Sequence, residues 1–384
     1  MAGSSPVPVV RRMLAAPGVR RGPAAFVPAD TLRPIREAGW PPASRLLEPM
    51  EPVPPAFLSR PCEWTAEQLR DAALHVLRVQ AAALHGGGTL SRVCAEAVQF
   101  LGSRPVWTDP TAFAAHDGGP WTAYADFTRA FLSPLLAAAR GLPRGEEVLT
   151  LREASRRLPL SSYFQPGALR HIHVPAWLGS WAGGSRTAEQ AVASLWGAVE
   201  SLDLRPRWAP WQTSECGRED GLLRILLKEA VRCRPPQLVY VFGDGGGNCA
   251  RTIVAEGIDC VSFDADSRKV AACYLHERAA GGSRLLPLVG SLAAAAGLAP
   301  GAPRGGLAVV LSRGLEPLLP LGLLPEAAAA LLLRLGERVL LEFDPRAAKA
   351  DLATLLAAFR PWFRPDEVAP ISTAGRCLCS LVPA

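Results

Sequence analysis

A glycine-rich segment directly after a buried apolar run is the part of the sequence best suited to hold a ligand. The apolar run, residues 238–242, predicts a strand, and a helix is predicted to follow the glycines. Glycine lacks a Cβ atom, so the backbone can turn sharply and approach a ligand, and the next helix offers amides at its N-terminus. The pattern predicts a nucleotide-like cofactor held by Gly243, Asp244, Gly245 and Gly247. A left-handed turn that binds nothing is the alternative.

An acidic residue ends the second predicted strand of this region. Asp264 follows Gly243 by 21 residues and precedes Ala265 and Asp266. A carboxylate is a bidentate acceptor, so it can accept hydrogen bonds from both hydroxyls of a ribose. Asp264 is therefore predicted to bind the ribose, with Ala265 beside it. Alternatively, Asp264 and Asp266 cap the following helix.

The glycine segment fits the dinucleotide fingerprint G-x-G-x-x-G only in part. Counted from Gly243, the third glycine falls on Asn248, and counted from Gly245 it falls on Ala250. The second frame is a G-x-G-x-x-A variant. An NAD(P)-dependent oxidoreductase is therefore kept as a third hypothesis, disfavoured further because the chain lacks a Tyr-x-x-x-Lys pair.

Strands and helices alternate in the C-terminal half of the chain. The predicted strands are 238–242, 259–263, 307–311 and 338–343, and the predicted helices are 222–232, 251–256, 267–278 and 325–336. Continuous apolar strands separated by helices predict a parallel sheet covered on both faces. The expected fold is α/β, a Rossmann-like doubly wound sheet preceded by a mainly helical N-terminal α+β domain.

The 384 residues are long enough for two domains. We predict a proline-rich extended arm over 1–60, a mainly helical domain over 61–212 that could serve as an acceptor or lid domain, and a Rossmann-like domain over 213–384. Within the second, a helix is expected from Thr65 to Gly86, a hairpin over 97–107 and a helix over 121–140. Asp109 is expected to cap a turn or helix.

Several stretches from Phe57 onward carry a resemblance to a known family. They are residues 57–64, 68–74, 98–100 with 104–106, 124–127 with 131–135, the glycine segment, 261–266, 286–289 and 339–343. In order and spacing these stretches resemble the class I S-adenosylmethionine-dependent methyltransferases, in particular a bacterial branch related to nodulation proteins with a long N-terminal extension. The resemblance implies S-adenosylmethionine at the carboxyl ends of the strands and methyl transfer to an unspecified acceptor. We expect that acceptor to be a small molecule.

The sequence departs from the family pattern at four places. The acid that usually ends the first strand and helps hold the methionine amino group is Val241, and the usual loop asparagine is Gly245. The acid expected after the third strand is Ser291, and the histidine pair expected after the fourth is Glu316 with Pro317. A catalytically silent relative that serves as a binding or scaffold protein is therefore the second hypothesis.

Charge and hydropathy restrict the partners. The net charge is +6, but the basic residues are spread along the chain, so nucleic-acid binding is disfavoured. No apolar run is long enough to span a bilayer. We expect a cytoplasmic protein; a mitochondrial location stays open for a eukaryotic source because residues 1–28 carry arginines and no acid. Oligomeric state is not indicated.

Other candidate side chains are less specific. The nine cysteines do not show the sequence spacing of metal ligands, so no metal is expected. His171 and His173 could face a metal or an acceptor, or lie on a half-exposed strand. Glu342 ends a strand where such sheets bind ligands, or pairs with an arginine. Four tryptophans could line an acceptor pocket or pack in the core: Trp177, Trp181, Trp208 and Trp211.

Overall fold

The computed structural model describes residues 57–139, 187–204, 218–292, 306–315, 326–348 and 351–384. Two compact units divide them. The first unit takes in described residues within 60–100 and 105–206, and the second takes in those within 56–59, 101–104 and 207–384. The predicted arm lies largely outside the described residues, and the predicted boundary between residues 212 and 213 lies wholly outside them. The division into 1–60, 61–212 and 213–384 stays a prediction.

The first unit is built mainly from helices. Its helices are α1 (Ala66–His85), α2 (Tyr124–Phe127), α3 (Ser133–Ala139) and α4 (Ala188–Glu200), and its short strands are β1 (Gly88–Leu90), β2 (Val98–Leu101), β3 (Arg104–Trp107) and β4 (Phe113–Ala115), of which β2 and β3 contribute their turn to the second unit. A π-helical turn (Thr128–Leu132) joins α2 to α3. Helix α1 is the most clearly signalled element, because Thr65 and Gln68 form a capping box and Gly86 ends it.

Four sequence predictions for this region can be compared directly with the structure. The helix after Thr65 and the β2–β3 hairpin are confirmed. The helix predicted over 121–140 begins instead at Tyr124 and is interrupted by the π turn. Asp109 is a cap, since its Oδ1 accepts the Thr111 amide at 3.0 Å. The pairing of β1 with β4 was not predicted, because both strands are only three residues long.

The second unit contains a seven-stranded sheet. Its helices are α5 (Arg218–Cys233), α6 (Asn248–Val254), α7 (Ser267–Ala279), α8 (Ser312–Leu315), α9 (Glu326–Leu335), α10 (Pro345–Ala348) and α11 (Leu352–Phe359), and its strands are β5 (Val239–Phe242), β6 (Cys260–Asp264), β7 (Leu285–Val289), β8 (Gly306–Val310), β9 (Gly336–Phe343), β10 (Phe363–Pro370) and β11 (Cys377–Pro383). The strand order is β10-β11-β9-β8-β5-β6-β7. Neighbouring strands from β9 to β7 are parallel, whereas β11 is antiparallel to both β9 and β10.

The central strands are apolar on both sides, as a doubly wound sheet requires. On one face, Val239 and Val241 are fully buried in a core that includes Leu227 of α5. On the other face, Phe242 stacks on Phe263 with ring centroids 5.1 Å apart. The α/β, Rossmann-like fold class is therefore confirmed. The sheet differs from the dinucleotide-binding order 3-2-1-4-5-6 because β11 is inserted antiparallel beside β9.

Candidate functional site

The glycine loop lies at the carboxyl end of β5, between Phe242 and the first residue of α6. Gly243, Gly245 and Gly247 have φ values of +82°, +61° and +78°. Residues with a Cβ atom rarely adopt this left-handed conformation, so the three glycines fix the course of the loop. Strand β5 pairs with β6 on one side and β8 on the other, and the chain order reverses there. Open α/β sheets bind ligands at such a switch point.

Asp264 holds the glycine loop in place from the end of β6. Its Oδ2 accepts the Gly245 amide at 2.8 Å, and its Oδ1 accepts the Asp266 amide at 2.8 Å. The residue is 8% exposed. Each carboxylate oxygen has two acceptor positions, so one on each oxygen remains after these two bonds. Ala265 follows Asp264 as an exposed residue.

Asp244 turns its carboxylate toward α6. The Cys249 and Ala250 amides donate to its two oxygens at 2.9 and 2.8 Å. Burial raises the pKa of Asp244 to about 6, although the two amides and nearby Arg251 favour the ionised form. The amides that would otherwise bind a phosphate at this helix N-terminus are therefore already occupied by the chain's own acid.

Two of the glycines allow close approaches inside the unit. A Cβ atom on Gly243 would lie 2.3 Å from the backbone nitrogen of Gly314. A Cβ atom on Gly247 would lie 2.4 Å from the sulfur of Cys273, a buried thiol whose pKa burial raises to about 12. Gly245 differs, because a Cβ atom there would meet only side chains at ordinary contact distances. This side of Gly245, its bare side, is covered by movable side chains and not by backbone, whereas the Cβ position of Gly246 has nothing within 4 Å.

Cationic side chains face this bare side. Measured from the Cβ position of Gly245, Cδ of Lys269 is 3.5 Å away, Nη1 of Arg313 is 3.6 Å away and Oδ2 of Asp264 is 3.8 Å away. Lys269 lies in the first turn of α7 and Arg313 lies just after β8. The sequence predictions omitted both residues. Arg313 carries one usable signal, because it follows an apolar strand at the end of the sheet where ligands bind.

Two of the four family departures can be placed in detail. Val241 is fully buried in the sheet core, so nothing acidic projects from that position. Ser291 is half-buried and follows β7, close to where the Gly290 amide donates to the Asp264 carbonyl at 3.0 Å. Gly245 has the role described above, and Glu316 with Pro317 lies outside the described residues. Because Val241 is not acidic, Asp244 is the acidic residue of this region that lies in the glycine loop.

Glu342 has a structural role. It is 2% exposed at the carboxyl end of β9. Its Oε2 accepts from the amide and hydroxyl of Ser312 at 3.0 and 2.9 Å, and its Oε1 accepts from Nε of Arg376 at 2.7 Å. The prediction that Glu342 pairs with an arginine is therefore confirmed. Glu342 thereby ties the segment after β8 to the turn before β11.

Some expectations concern residues that the structure does not describe. His171, His173 and the tryptophans 177, 181, 208 and 211 lie outside the described ranges. Within those ranges, no group of three or more histidine, cysteine or acidic residues could hold a metal ion. Within the same ranges, no helix is both long and apolar enough to cross a bilayer.

Comparison with known proteins bears out the predicted relationship to nodulation proteins. The chain is 32% identical to nodulation protein NoeA of Rhizobium meliloti (strain 1021) in an alignment of 143 residues that covers 35% of this chain and 29% of that protein. The match thus spans less than a third of that relative. No family profile matches the chain.

The chain also has distant likenesses among solved structures. Magnesium protoporphyrin IX methyltransferase from Synechocystis PCC 6803, with bound S-adenosylmethionine, is 16% identical over 46% of this chain and 87% of that chain, with a TM-score of 0.34. An rRNA methylase from Escherichia coli is 17% identical over 65% of this chain and 89% of that chain, with a TM-score of 0.33. The fold assignment rests on the strand order above, since these scores are low.

Proposed function

We propose that the second unit binds S-adenosylmethionine on the glycine loop and transfers its methyl group to a small-molecule acceptor. One observation carries this proposal: the bare side of Gly245 and the carboxylate of Asp264 meet at the switch point of the sheet, with Oδ2 3.8 Å from the Cβ position of the glycine. A ligand lying there has backbone on one side and a hydrogen-bond acceptor on the other.

The ribose of the ligand fits Asp264. The two amide bonds that Asp264 accepts fix the orientation of its carboxylate, and the remaining acceptor positions suit two adjacent hydroxyls. A carboxylate already oriented by the fold loses little conformational freedom on binding. A sugar can reach the Gly245 backbone when the ends of Lys269 and Arg313 move aside, because only side chains contact its Cβ position.

Asp244 favours an adenosyl sulfonium over a dinucleotide. A pyrophosphate would need the first amides of α6, and Asp244 already accepts from Cys249 and Ala250 there. With a pKa of about 6, the carboxylate is largely ionised at neutral pH. The occupied amides at the N-terminus of α6 are the physical reason for preferring the methyltransferase hypothesis to the NAD(P)-dependent one.

Methyl transfer from a sulfonium requires the protein mainly to position the methyl donor and the acceptor. When bound, S-adenosylmethionine supplies an electrophilic methyl group on its sulfonium. The chain's own residues bind and orient the ligand, and alignment of donor and acceptor at about 3–3.5 Å accounts for most of the acceleration that such a site provides. The loss of the strand-end acid at Val241 therefore lowers affinity more than it removes a chemical step.

The distribution of charge supports a small acceptor. Arginines of the described ranges are commonly matched by acids, as in the pairs Arg92–Asp109, Arg232–Glu256, Arg251–Glu277, Arg268–Asp266, Arg284–Asp259 and Arg376–Glu342. A phosphate backbone is tracked by basic residues whose charge is left uncompensated. The net charge of +6 is thus consistent with a protein whose substrate is not a nucleic acid.

Calorimetric titration of the full chain with S-adenosylmethionine and S-adenosylhomocysteine tests the proposal. Saturable binding is expected, and Asp264→Ala should weaken it by at least about tenfold, the loss of hydrogen bonds to a charged group. Asp259→Ala is the matched control, because Asp259 precedes β6 at the opposite end and pairs with Arg284. Absence of heat with millimolar ligand would contradict the proposal, as would binding of NADH in a fluorescence titration.

A second experiment tests the class of acceptor. The full chain is incubated with S-adenosylmethionine labelled on its methyl group, together with either a small-molecule extract or total RNA. We expect label in the small-molecule fraction. Transfer to RNA would contradict the small-acceptor part of the proposal while leaving the binding site intact.

A further inference from the structure

Arg313 brings a positive charge to the bare side of the glycine loop. Its Nη1 is 3.6 Å from the Cβ position of Gly245, whereas Asp264 approaches the same position from β6. The loop, Asp264 and Arg313 come from the carboxyl ends of three adjacent strands, β5, β6 and β8. A ligand that takes the place of the side-chain ends on Gly245 would therefore have both an acceptor and a guanidinium within reach.

The surroundings of Arg313 distinguish it from neighbouring arginines. Arg268 pairs with Asp266 at 2.8 Å, and Arg251 pairs with Glu277 at 3.4 Å. Arg313 is exposed, and within the described ranges no acidic side chain forms an ion pair with it. A guanidinium that forms no ion pair within the protein keeps its N–H donors available to a ligand. Two of these N–H groups can bind one carboxylate in two parallel hydrogen bonds.

The amino group of the ligand has no acid to bind at the end of β5. The family pattern places an acid at position 241 to hold the methionine amino group, and here Val241 is fully buried among apolar side chains. Lys269 adds a second positive charge on the same side of Gly245, with its Cδ 3.5 Å from the Cβ position. Both cations repel an ammonium group and attract a carboxylate.

We propose that Arg313 is a specificity-determining residue that binds the carboxylate of the ligand's amino-acid end. Resting on the proposed function, this inference deepens it: the site recognises adenosyl amino acids by their carboxylate and is largely indifferent to their amino group. Ligands that lack the carboxylate bind weakly, whereas ligands with a blocked amine bind nearly as well as the parent compound.

Calorimetry on the full chain with four ligands tests the inference: S-adenosylmethionine, its decarboxylated form, S-adenosylhomocysteine and N-acetylated S-adenosylhomocysteine. The wild-type chain should bind S-adenosylmethionine roughly 10- to 100-fold more tightly than the decarboxylated form, as expected for a charge-assisted pair. N-acetylation of S-adenosylhomocysteine should change its affinity by less than about threefold, below the effect of a typical hydrogen bond.

Variants assign the carboxylate preference to one side chain. Arg313→Gln should bind S-adenosylmethionine and its decarboxylated form equally well, and Arg313→Lys should retain part of the preference because it keeps the charge without the fork. Arg360→Gln is the matched control, since it removes an exposed charge next to α11, which packs on β10 at the other edge of the sheet. It should behave as wild type.

The outcomes separate the two proposals. If the wild-type chain binds the ligands but Arg313→Gln keeps the full preference for the carboxylate, the inference is overturned and the proposed function stands. A large loss on N-acetylation overturns it in the same way. If no adenosyl ligand binds at all, the proposed function fails and the inference fails with it.

Discussion

Three glycines with the same backbone conformation but different surroundings provide a graded test of the glycine loop. Gly243, Gly245 and Gly257 have φ values of +82°, +61° and +82°. A Cβ atom on Gly257 would meet nothing within 4 Å, one on Gly245 would meet side chains at 3.5–3.8 Å, and one on Gly243 would lie 2.3 Å from the backbone nitrogen of Gly314. Replacing each glycine by alanine separates conformational cost from steric cost.

The expected losses of stability follow from these distances. The left-handed conformation costs an alanine about 1–2 kcal/mol, and Gly257→Ala measures that cost alone. Gly245→Ala should lose about the same amount, because its contacts are of ordinary length. Gly243→Ala adds an overlap with backbone that cannot rotate away, which raises its loss to roughly 2–5 kcal/mol.

Ligand binding should rank the same variants differently. The added methyl group of Gly245→Ala occupies the space between Lys269, Arg313 and Asp264, so it should weaken binding of S-adenosylhomocysteine by at least about tenfold, the equivalent of ~1.4 kcal/mol. Gly257→Ala should bind as the unchanged chain does. A stable Gly245→Ala that binds normally would show that the ligand does not lie on this glycine.

Urea denaturation followed by circular dichroism and by fluorescence gives the stabilities, and calorimetry gives the affinities. Coincident transitions of the two signals establish that one free energy of unfolding describes each variant. The reasoning about close approach is refuted if Gly243→Ala loses no more stability than Gly257→Ala.

Three further predictions concern buried polar groups. Burial raises the pKa of Glu63 to about 7 from 4.5, so the free energy of unfolding should fall as pH rises from about 4.5 to 7. Glu63→Gln should remove that fall and should be more stable than the wild type at pH 8 by up to about 3 kcal/mol. Urea denaturation of both proteins at about pH 4.5 and 8 measures the difference. The Tyr240 hydroxyl is buried and has no hydrogen-bond partner within the described ranges, so Tyr240→Phe should raise the free energy of unfolding by about 1 kcal/mol. A decrease of that size would show that the hydroxyl does have a partner. Arg376→Ala leaves the carboxylate of Glu342 buried without its cation and should lower the free energy of unfolding by about 3–5 kcal/mol. Adding Glu342→Gln to that variant should restore part of the loss. A double-mutant cycle of unfolding free energies measures both effects.

Four of the five parallel strands were predictable because each is a continuous apolar run, whereas β7, which contains Pro287, was not among the predicted strands. Strands β10 and β11 were not predicted. Strand β10 carries Pro365, Asp366 and Glu367 in its middle and is largely exposed, which is the composition of a sheet edge and not of a buried strand. Its strand character comes from pairing with β11, so it depends on contacts that local sequence does not contain.

The candidate site was predictable only where neighbours in the sequence define it. The glycines and Asp264 lie on consecutive βα units, so their proximity follows from the parallel sheet. Arg313 reaches the loop because β8 pairs with β5, and strand order is a property of the whole sheet. The direction of the Asp244 carboxylate, toward Cys249 and Ala250, likewise depends on the loop conformation, so its role as a ligand contact stays a prediction.

A crystal structure of the chain with S-adenosylhomocysteine tests the central claim most directly. The account predicts the ribose hydroxyls within about 2.5–3.0 Å of the Asp264 carboxylate, with the ligand lying against Gly245. Ligand bound elsewhere on the chain, or a Gly245 surface that stays covered by Lys269 and Arg313 at saturating ligand, would contradict it.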